Sequence, residues 1–180
     1  CYSEDARLAT IGCTSTEGAS VAADSIEREI LIEASREVVW GVITEPEQIS
    51  RWFSDEAEVE GRAGADGTLT WRPGGRGGDK EFDLIVPIRV VEAEPFCRFS
   101  FRWNHPEGAR PDQNNSALVE FSLIEEAGGT RLRVLESGID AVTHDEEGKA
   151  RYLEDHEQGW ERHLGELLDY VASKSRAATS

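Results

Sequence analysis

Residues 145–173 read DEEGKARYLEDHEQGWERHLGELLDYVAS and carry a clear helical periodicity. Apolar and ring-bearing side chains recur there at steps of three and four, namely Leu153, His156, Trp160, Leu164, Leu167 and Val171. This spacing places them on one face of an α-helix, while the opposite face is mostly acidic. The helix is therefore amphipathic and needs a concave apolar partner. At ~1.5 Å per residue it is about 40 Å long, enough to lie across a whole sheet.

The middle of the chain has a different pattern, because residues 55–138 are short alternating runs separated by Gly, Pro and Asn. Such runs are typical of antiparallel strands. With a first strand at 26–33, the predicted strands are 56–61, 67–72, 80–94, 97–104, 116–126 and 130–138. A break is predicted near Pro87. Two short helices are predicted after the first strand, over 36–43 and from Pro46 through Phe53. The sequence thus predicts an α+β fold in which a seven-stranded curved antiparallel sheet wraps a long C-terminal helix.

Composition limits the classes of partner. The chain has 36 acidic residues against 19 Lys and Arg, a formal net charge of -17. This charge repels nucleic-acid phosphates and anionic lipid, so we expect neither nucleic acid nor a membrane as a partner. No apolar run approaches the ~18 residues of a membrane span, and the first 24 residues lack the features of a secretion signal. A cytoplasmic location is expected.

Domain organisation is predicted to be simple. Residues 1–24 show no periodicity and are expected to form a flexible N-terminal arm, followed by one domain over 25–173 and a C-terminal tail over 174–180. The cysteines, Cys1, Cys13 and Cys97, are odd in number and form no CxxC pair. The sequence therefore predicts neither a disulfide framework nor a zinc site.

Several short motifs follow this order of elements: IEREI at 26–30, ASREVVW at 34–40, TEPE at 44–47, RWF at 51–53, VVEAEP at 90–95, GTRL at 129–132, ESG at 136–138, and Gly159-Trp160. Their order and spacing resemble the SRPBCC superfamily, which includes the birch-pollen-allergen and START-like proteins. Within it the chain looks like the branch named for the activator of heat-shock-protein-90 ATPase. The resemblance covers about residues 26–172 and implies a helix-grip fold. It does not imply one activity, because similar proteins include ligand carriers, polyketide cyclases and chaperone co-activators.

A set of residues is expected where the sheet meets the final helix. The candidate lining residues are Trp52, Phe53, Trp71, Phe82, Phe99, Phe101, Trp103, Phe121, Glu136, His156, Trp160 and His163. Two interpretations stay open at this point. The rings either fill an ordinary core, or they surround a space for an apolar ligand, as the resemblance implies.

Three of these candidates are polar. Glu136 alternates with Leu132 and Val134, so it points inward if the strand continues, and otherwise it lies in water at the strand end. Burial would raise the pKa of such a carboxyl unless it is paired, and the group would then be an acid, a base or a ligand anchor. His156 and His163 are either histidines on the helix surface or in the packing, or groups that fix or protonate a ligand. They lie over ~10 Å apart along the helix axis, too far to share one metal ion, and we predict no metal and no cofactor.

The glycine-rich stretch PGGRGGD at 73–79 could suggest a phosphate-binding loop. Such a loop requires GxxxxGK followed by Ser or Thr and a helix, whereas Lys80 is followed by Glu81 and a predicted strand. A hairpin loop is the interpretation that the sequence favours.

The leading hypothesis is non-catalytic binding of a small hydrophobic molecule between the sheet and the final helix, with no catalytic residue. One alternative is an enzyme similar to the polyketide cyclases, in which Glu136 or a helix histidine is a general acid or base. Another is a protein-interaction module that stimulates a chaperone ATPase, with a chaperone or a second copy of the chain as its partner.

Overall fold

The computed structural model describes residues 24–178 except 77, 79 and 80. Within this part of the chain seven strands form one antiparallel sheet in the order β1-β7-β6-β5-β4-β3-β2. The strands are β1 (Ile26–Ile32), β2 (Glu56–Glu58), β3 (Asp66–Trp71), β4 (Leu84–Glu94), β5 (Arg98–Trp103), β6 (Ala117–Glu126) and β7 (Gly129–Ser137). The helices are α1 (Arg36–Thr44), α2 (Pro46–Ile49) and α3 (Glu146–Ala178), with a 3₁₀ turn at Ile139–Ala141. The predicted helix-grip fold is confirmed.

Strand alternation builds the inner face of the sheet. Phe99, Phe101 and Trp103 on β5 are buried, and so are Leu132 and Val134 on β7. Register between neighbouring strands keeps these side chains on one face, since Phe101 pairs with a β6 residue that is itself buried. The sheet therefore presents one aromatic and aliphatic surface to the helices.

Helix α3 packs on that surface as its periodicity predicts. Trp160, Leu164, Leu167 and Val171 are all buried in the core, and the charged residues between them face outward. The helix continues to Ala178, five residues past the predicted end at 173. Helix α2 is shorter than predicted, because it ends at Ile49 and the chain reaches Phe53 through turns.

Strand β4 differs from its prediction in two ways. It begins at Leu84 instead of residue 80 and runs through Pro87 without a break. Pairing of β4 to β5 begins only at Arg89. On that side Pro87 therefore lies at a free edge, where a missing backbone N–H removes no ladder bond. The irregularity lies further on, where the register shifts between Val90 and Glu92.

Cys97 corrects one prediction. Its side chain is buried and disulfide-bonded, so the prediction of no disulfide is wrong for this residue. Cys1 and Cys13 lie outside the described residues, as do residues 1–23 of the predicted N-terminal arm and residues 179 and 180. Among the helices of the described chain, none combines the length and the apolar character that crossing a membrane requires.

Candidate functional site

Glu136 lies near the end of β7 and points inward, with its side chain fully buried. Four side chains donate hydrogen bonds to its carboxylate. Trp103 Nε1 and the Tyr152 hydroxyl reach Oε1 at 3.0 and 2.6 Å, Trp160 Nε1 reaches Oε2 at 2.8 Å, and His156 Nδ1 lies 3.1 Å from both oxygens. The carboxylate thus joins β7 and β5 to α3.

These donors decide the charge of the carboxyl. Burial alone raises the pKa of Glu136. The hydrogen bond from His156, the charge that this ring carries when it is protonated, and the bonds from Tyr152 and Trp160 outweigh burial, so the net direction is a lowered pKa. The pKa of Tyr152 is raised, first by burial and then by the charge of Glu136. Glu136 is therefore an ionised acceptor at neutral pH, and Tyr152 is a donor.

Helical spacing explains how α3 supplies three of the four donors. Tyr152, His156 and Trp160 follow one another at steps of four, which places them on one side of the helix above the end of β7. The His156 ring stacks on Tyr152 with centroids 3.8 Å apart and meets Trp103 edge to face at 5.5 Å. Contacts on both sides of the ring therefore fix its orientation.

An open cleft of about 370 Å³ lies beside this network, between α3 and the ends of β3, β4 and β5. Its lining combines rings, aliphatic side chains and polar groups: Phe53, Trp71, Arg76, Leu84, Val86, Trp103, Asn104, Tyr152, Asp155, His156, Gly159, Trp160, Arg162 and His163. We refer to this set as the cleft.

Phe53 is the centre of the aromatic wall. Its ring stacks on Trp160 at 5.2 Å and on Trp103 at 6.0 Å. It meets Trp71 and His163 edge to face at 5.5 and 5.1 Å, and Trp71 Nε1 donates to the Phe53 carbonyl at 2.8 Å. Because each ring is held by several others, the wall is preformed.

Arginines lie beside the aromatic wall. Arg76, in the glycine-rich loop, has its backbone N–H 3.0 Å from both carboxylate oxygens of Asp55. Its Nε lies 3.3 Å from Glu166 Oε2 on α3 without hydrogen-bond alignment, so charge attraction holds it there. Arg162 projects from α3 and is exposed. The predicted hairpin loop is confirmed, because β3 and β4 on either side of it pair from Trp71 to Leu84.

His163 occupies the other end of the aromatic wall and is buried. Its Nδ1 lies 3.2 Å from the Trp52 carbonyl, which can only accept, so Nδ1 carries the proton. Burial lowers the pKa of His163 to about 4, and the charges of Arg162 and Arg76 act in the same direction. The ring is therefore neutral at pH 7.

The interior of the sheet is filled. Next to Trp52, Phe99, Phe101 and Phe121 only about 10 Å³ remains, which is no more than one small water site. These four candidates are core residues and do not line the cleft. The filled-core interpretation therefore holds for these four rings. A space for an apolar ligand stays a prediction for the rings beside the cleft.

Most of the remaining candidate residues line the cleft or lie directly behind it. Phe53, Trp71, Trp103, His156, Trp160 and His163 line the cleft, and Glu136 lies behind it. The placement of Phe82 was wrong. Its side chain is 78% exposed, because β4 begins two residues later and Phe82 has no place in the strand alternation.

Sequence reasoning missed several lining residues. The spacing of four residues from Tyr152 to His156, and from His156 to Trp160, could have identified Tyr152 as a lining residue. No pattern in the sequence indicated Arg76, Asn104 or Gly159, because their positions depend on how a loop and a strand end fold toward α3. Among the residues that the structure describes, no group of three or more His, Cys, Asp or Glu side chains could hold a metal ion.

Comparisons with known proteins agree with this architecture. A family model described as activator of Hsp90 ATPase homolog 1-like protein matches residues 33–172. No curated protein matches the chain significantly.

Solved structures with the same fold include protein MLL2253 from Mesorhizobium loti, 18% identical, which covers 83% of this chain and 97% of that one with a TM-score of 0.64. CalU16 from Micromonospora echinospora is 23% identical, with coverage of 85% and 79% and a TM-score of 0.58. DynU16, a protein in the dynemicin biosynthetic locus, is 23% identical with a TM-score of 0.62, and the match covers 85% of this chain but 49% of DynU16. At these identities the likeness concerns the fold alone.

Proposed function

Because the chain belongs to the activator of Hsp90 ATPase homolog 1-like family, whose fold does not fix one activity, we propose a function from the cleft itself. The protein binds a small, largely aromatic molecule between α3 and the ends of β3, β4 and β5.

The observation that carries this proposal is the contrast between two regions of one aromatic cluster. The core around Phe99 and Phe121 has no usable space, whereas the cleft beside it has about 370 Å³. That volume lies in the range of about 300 to 1,000 Å³ that small-molecule sites occupy. The parts of the buried rings that reach the cleft wall give a ligand an apolar surface to pack against.

Chemistry narrows the ligand class. Phe53, Trp103 and Trp160 are almost fully buried against one another, and the parts of their rings that line the cleft form an apolar surface that favours an aromatic partner. Asn104 and His156 add polar groups that can orient oxygen atoms, and Arg162 supplies a positive charge. An aromatic molecule that carries oxygen or an anionic group fits this combination.

Two glycines on α3 allow a matched test. A side chain at Gly159 would extend into the cleft, because no heavy atom lies within 4 Å of the position its Cβ would take. Gly165 on the same helix is exposed, has equally open surroundings and does not line the cleft. Both substitutions to Leu should raise helix propensity by about 0.8 kcal/mol, so neither should unfold the protein.

The probe is anilinonaphthalene sulfonate, an aromatic anion whose fluorescence rises in apolar surroundings. Wild type and Gly165→Leu should bind the probe saturably with equal affinity. Gly159→Leu should bind it with an affinity at least tenfold lower. If Gly159→Leu binds the probe as well as wild type does, or if wild type does not bind it, the cleft is not the site.

A further inference from the structure

His156 differs from the other polar residues of the cleft in how its two nitrogens are used. Nδ1 lies 3.1 Å from both oxygens of the ionised Glu136. A carboxylate only accepts, so the proton of a neutral ring must be on Nδ1 and the lone pair must be on Nε2. No described residue hydrogen-bonds to Nε2, and the ring is part of the cleft wall.

We propose that His156 is a general base toward the molecule bound in the cleft, and that Glu136 is its positioning residue. This inference rests on the proposed ligand binding and deepens it. The substrate class is an aromatic molecule with an acidic C–H, such as one next to a carbonyl.

The proton transfer balances without a co-reactant. Nε2 of His156 takes the proton, and the electron pair of the C–H bond passes into the ligand. The proton then leaves from Nε2 to solvent through the open side of the cleft. Glu136 keeps Nδ1–H oriented and compensates the positive charge of the ring while it carries the second proton.

The surroundings suit this role. Stacking on Tyr152 and the edge contact with Trp103 prevent the ring from rotating away. The indole of Trp160 and the Tyr152 hydroxyl also bond Glu136, so the carboxylate cannot move independently of the ring. Positioning of this kind brings base and substrate together without a reorganisation cost. Asp155 lies on the same side of α3 but is exposed to water.

A nitrobenzisoxazole is the probe for this step. A base removes its ring C–H proton, the N–O bond breaks, and a coloured cyanophenolate forms, with no other reactant. Binding is measured separately, by displacement of anilinonaphthalene sulfonate. Wild type should accelerate the reaction above free imidazole at equal concentration and saturate with probe.

Three variants identify the base. His156→Gln should lower kcat by about 100-fold, the scale of a lost general base, with little change in probe affinity. Glu136→Gln should lower kcat while probe affinity is retained, because a neutral amide no longer compensates the charge of the protonated ring and the wall remains. His144→Gln, at an exposed residue outside the cleft, should match wild type.

Each remaining outcome overturns a defined claim. Probe that binds without reacting, or a rate that His156→Gln leaves intact, contradicts the role of His156 and leaves the binding function standing. A rate that depends on His163 instead of His156 also contradicts it. Absence of any probe binding removes the binding function, and this inference with it.

Discussion

Replacing Glu136 by Leu removes the shared acceptor of four donors and should destabilise the fold strongly. The indole N–H groups of Trp103 and Trp160 are buried, and each buried donor without an acceptor costs about 1 to 3 kcal/mol. Tyr152 and His156 are partly exposed at the cleft, where water can bond their polar atoms, so they add less. The two indole N–H groups without an acceptor would therefore lower the free energy of unfolding by about 2 to 6 kcal/mol. Relief of carboxylate burial and the apolar surface of Leu offset part of it, which leaves about 2 to 4 kcal/mol.

Urea denaturation at pH 7 measures this loss directly. The midpoint should fall at an unchanged slope, which indicates a stability change within a two-state transition. Glu136→Gln should show an intermediate loss, because its amide oxygen accepts but its NH₂ group faces other donors. Glu154→Gln, the same exchange at an exposed position of α3, should stay within about 0.5 kcal/mol of wild type. A Glu136→Leu protein as stable as wild type would refute the role of the carboxylate as the link between sheet and helix.

The same network predicts a pH dependence. The pKa of Glu136 is lower in the folded protein than its ordinary value of 4.5. The folded state therefore binds fewer protons than the unfolded state, and the stabilisation is present above pH 4.5. It is lost as the pH falls through the folded value. In the Leu variant this acid-dependent component should disappear.

Two further predictions concern His163 and the glycines. The pKa of His163 is about 4 in the folded protein, against an ordinary value of 6.5. The free energy of unfolding should therefore fall by about 2 kcal/mol as the pH drops from 6.5 to 5. His163→Gln should remove this pH dependence in urea titrations at several pH values, and an unchanged pH dependence would contradict the prediction. Gly129→Ala would place a Cβ 2.0 Å from the Ile32 carbonyl oxygen on β1 and should lower the free energy of unfolding by more than about 2 kcal/mol. Gly165→Ala should instead stabilise the protein by about 1 kcal/mol. Equal thermal midpoints for the two variants would refute the close approach of β7 to β1.

Local periodicity was sufficient to predict most of the fold. Trp160 and Leu164 are buried because helical spacing requires them on the face that meets the sheet, and Phe99 and Phe101 are buried because strand alternation does the same. The start of β4 was predicted wrongly because the period-two pattern around Phe82 resembles a strand, although pairing with β3 begins only at Leu84.

The site could be predicted only in part. Parity placed Glu136 inward, but the direction of its pKa depended on donors from two other elements, which sequence spacing does not bring together. Arg76 reaches the cleft because Asp55 holds its loop, a contact between residues far apart in the chain. Whether space remained among the rings was likewise undecidable, because packing density is a property of the assembled core.

The most direct test of binding in the cleft follows the indole N–H signals of the five tryptophans in a proton–nitrogen NMR correlation spectrum during titration with anilinonaphthalene sulfonate. Trp71, Trp103 and Trp160 line the cleft, whereas Trp40 and Trp52 do not. The first three signals should shift saturably in wild type and stay unchanged in Gly159→Leu. Shifts of Trp52 alone, or of none of the three cleft tryptophans while the probe binds, would contradict binding in the cleft.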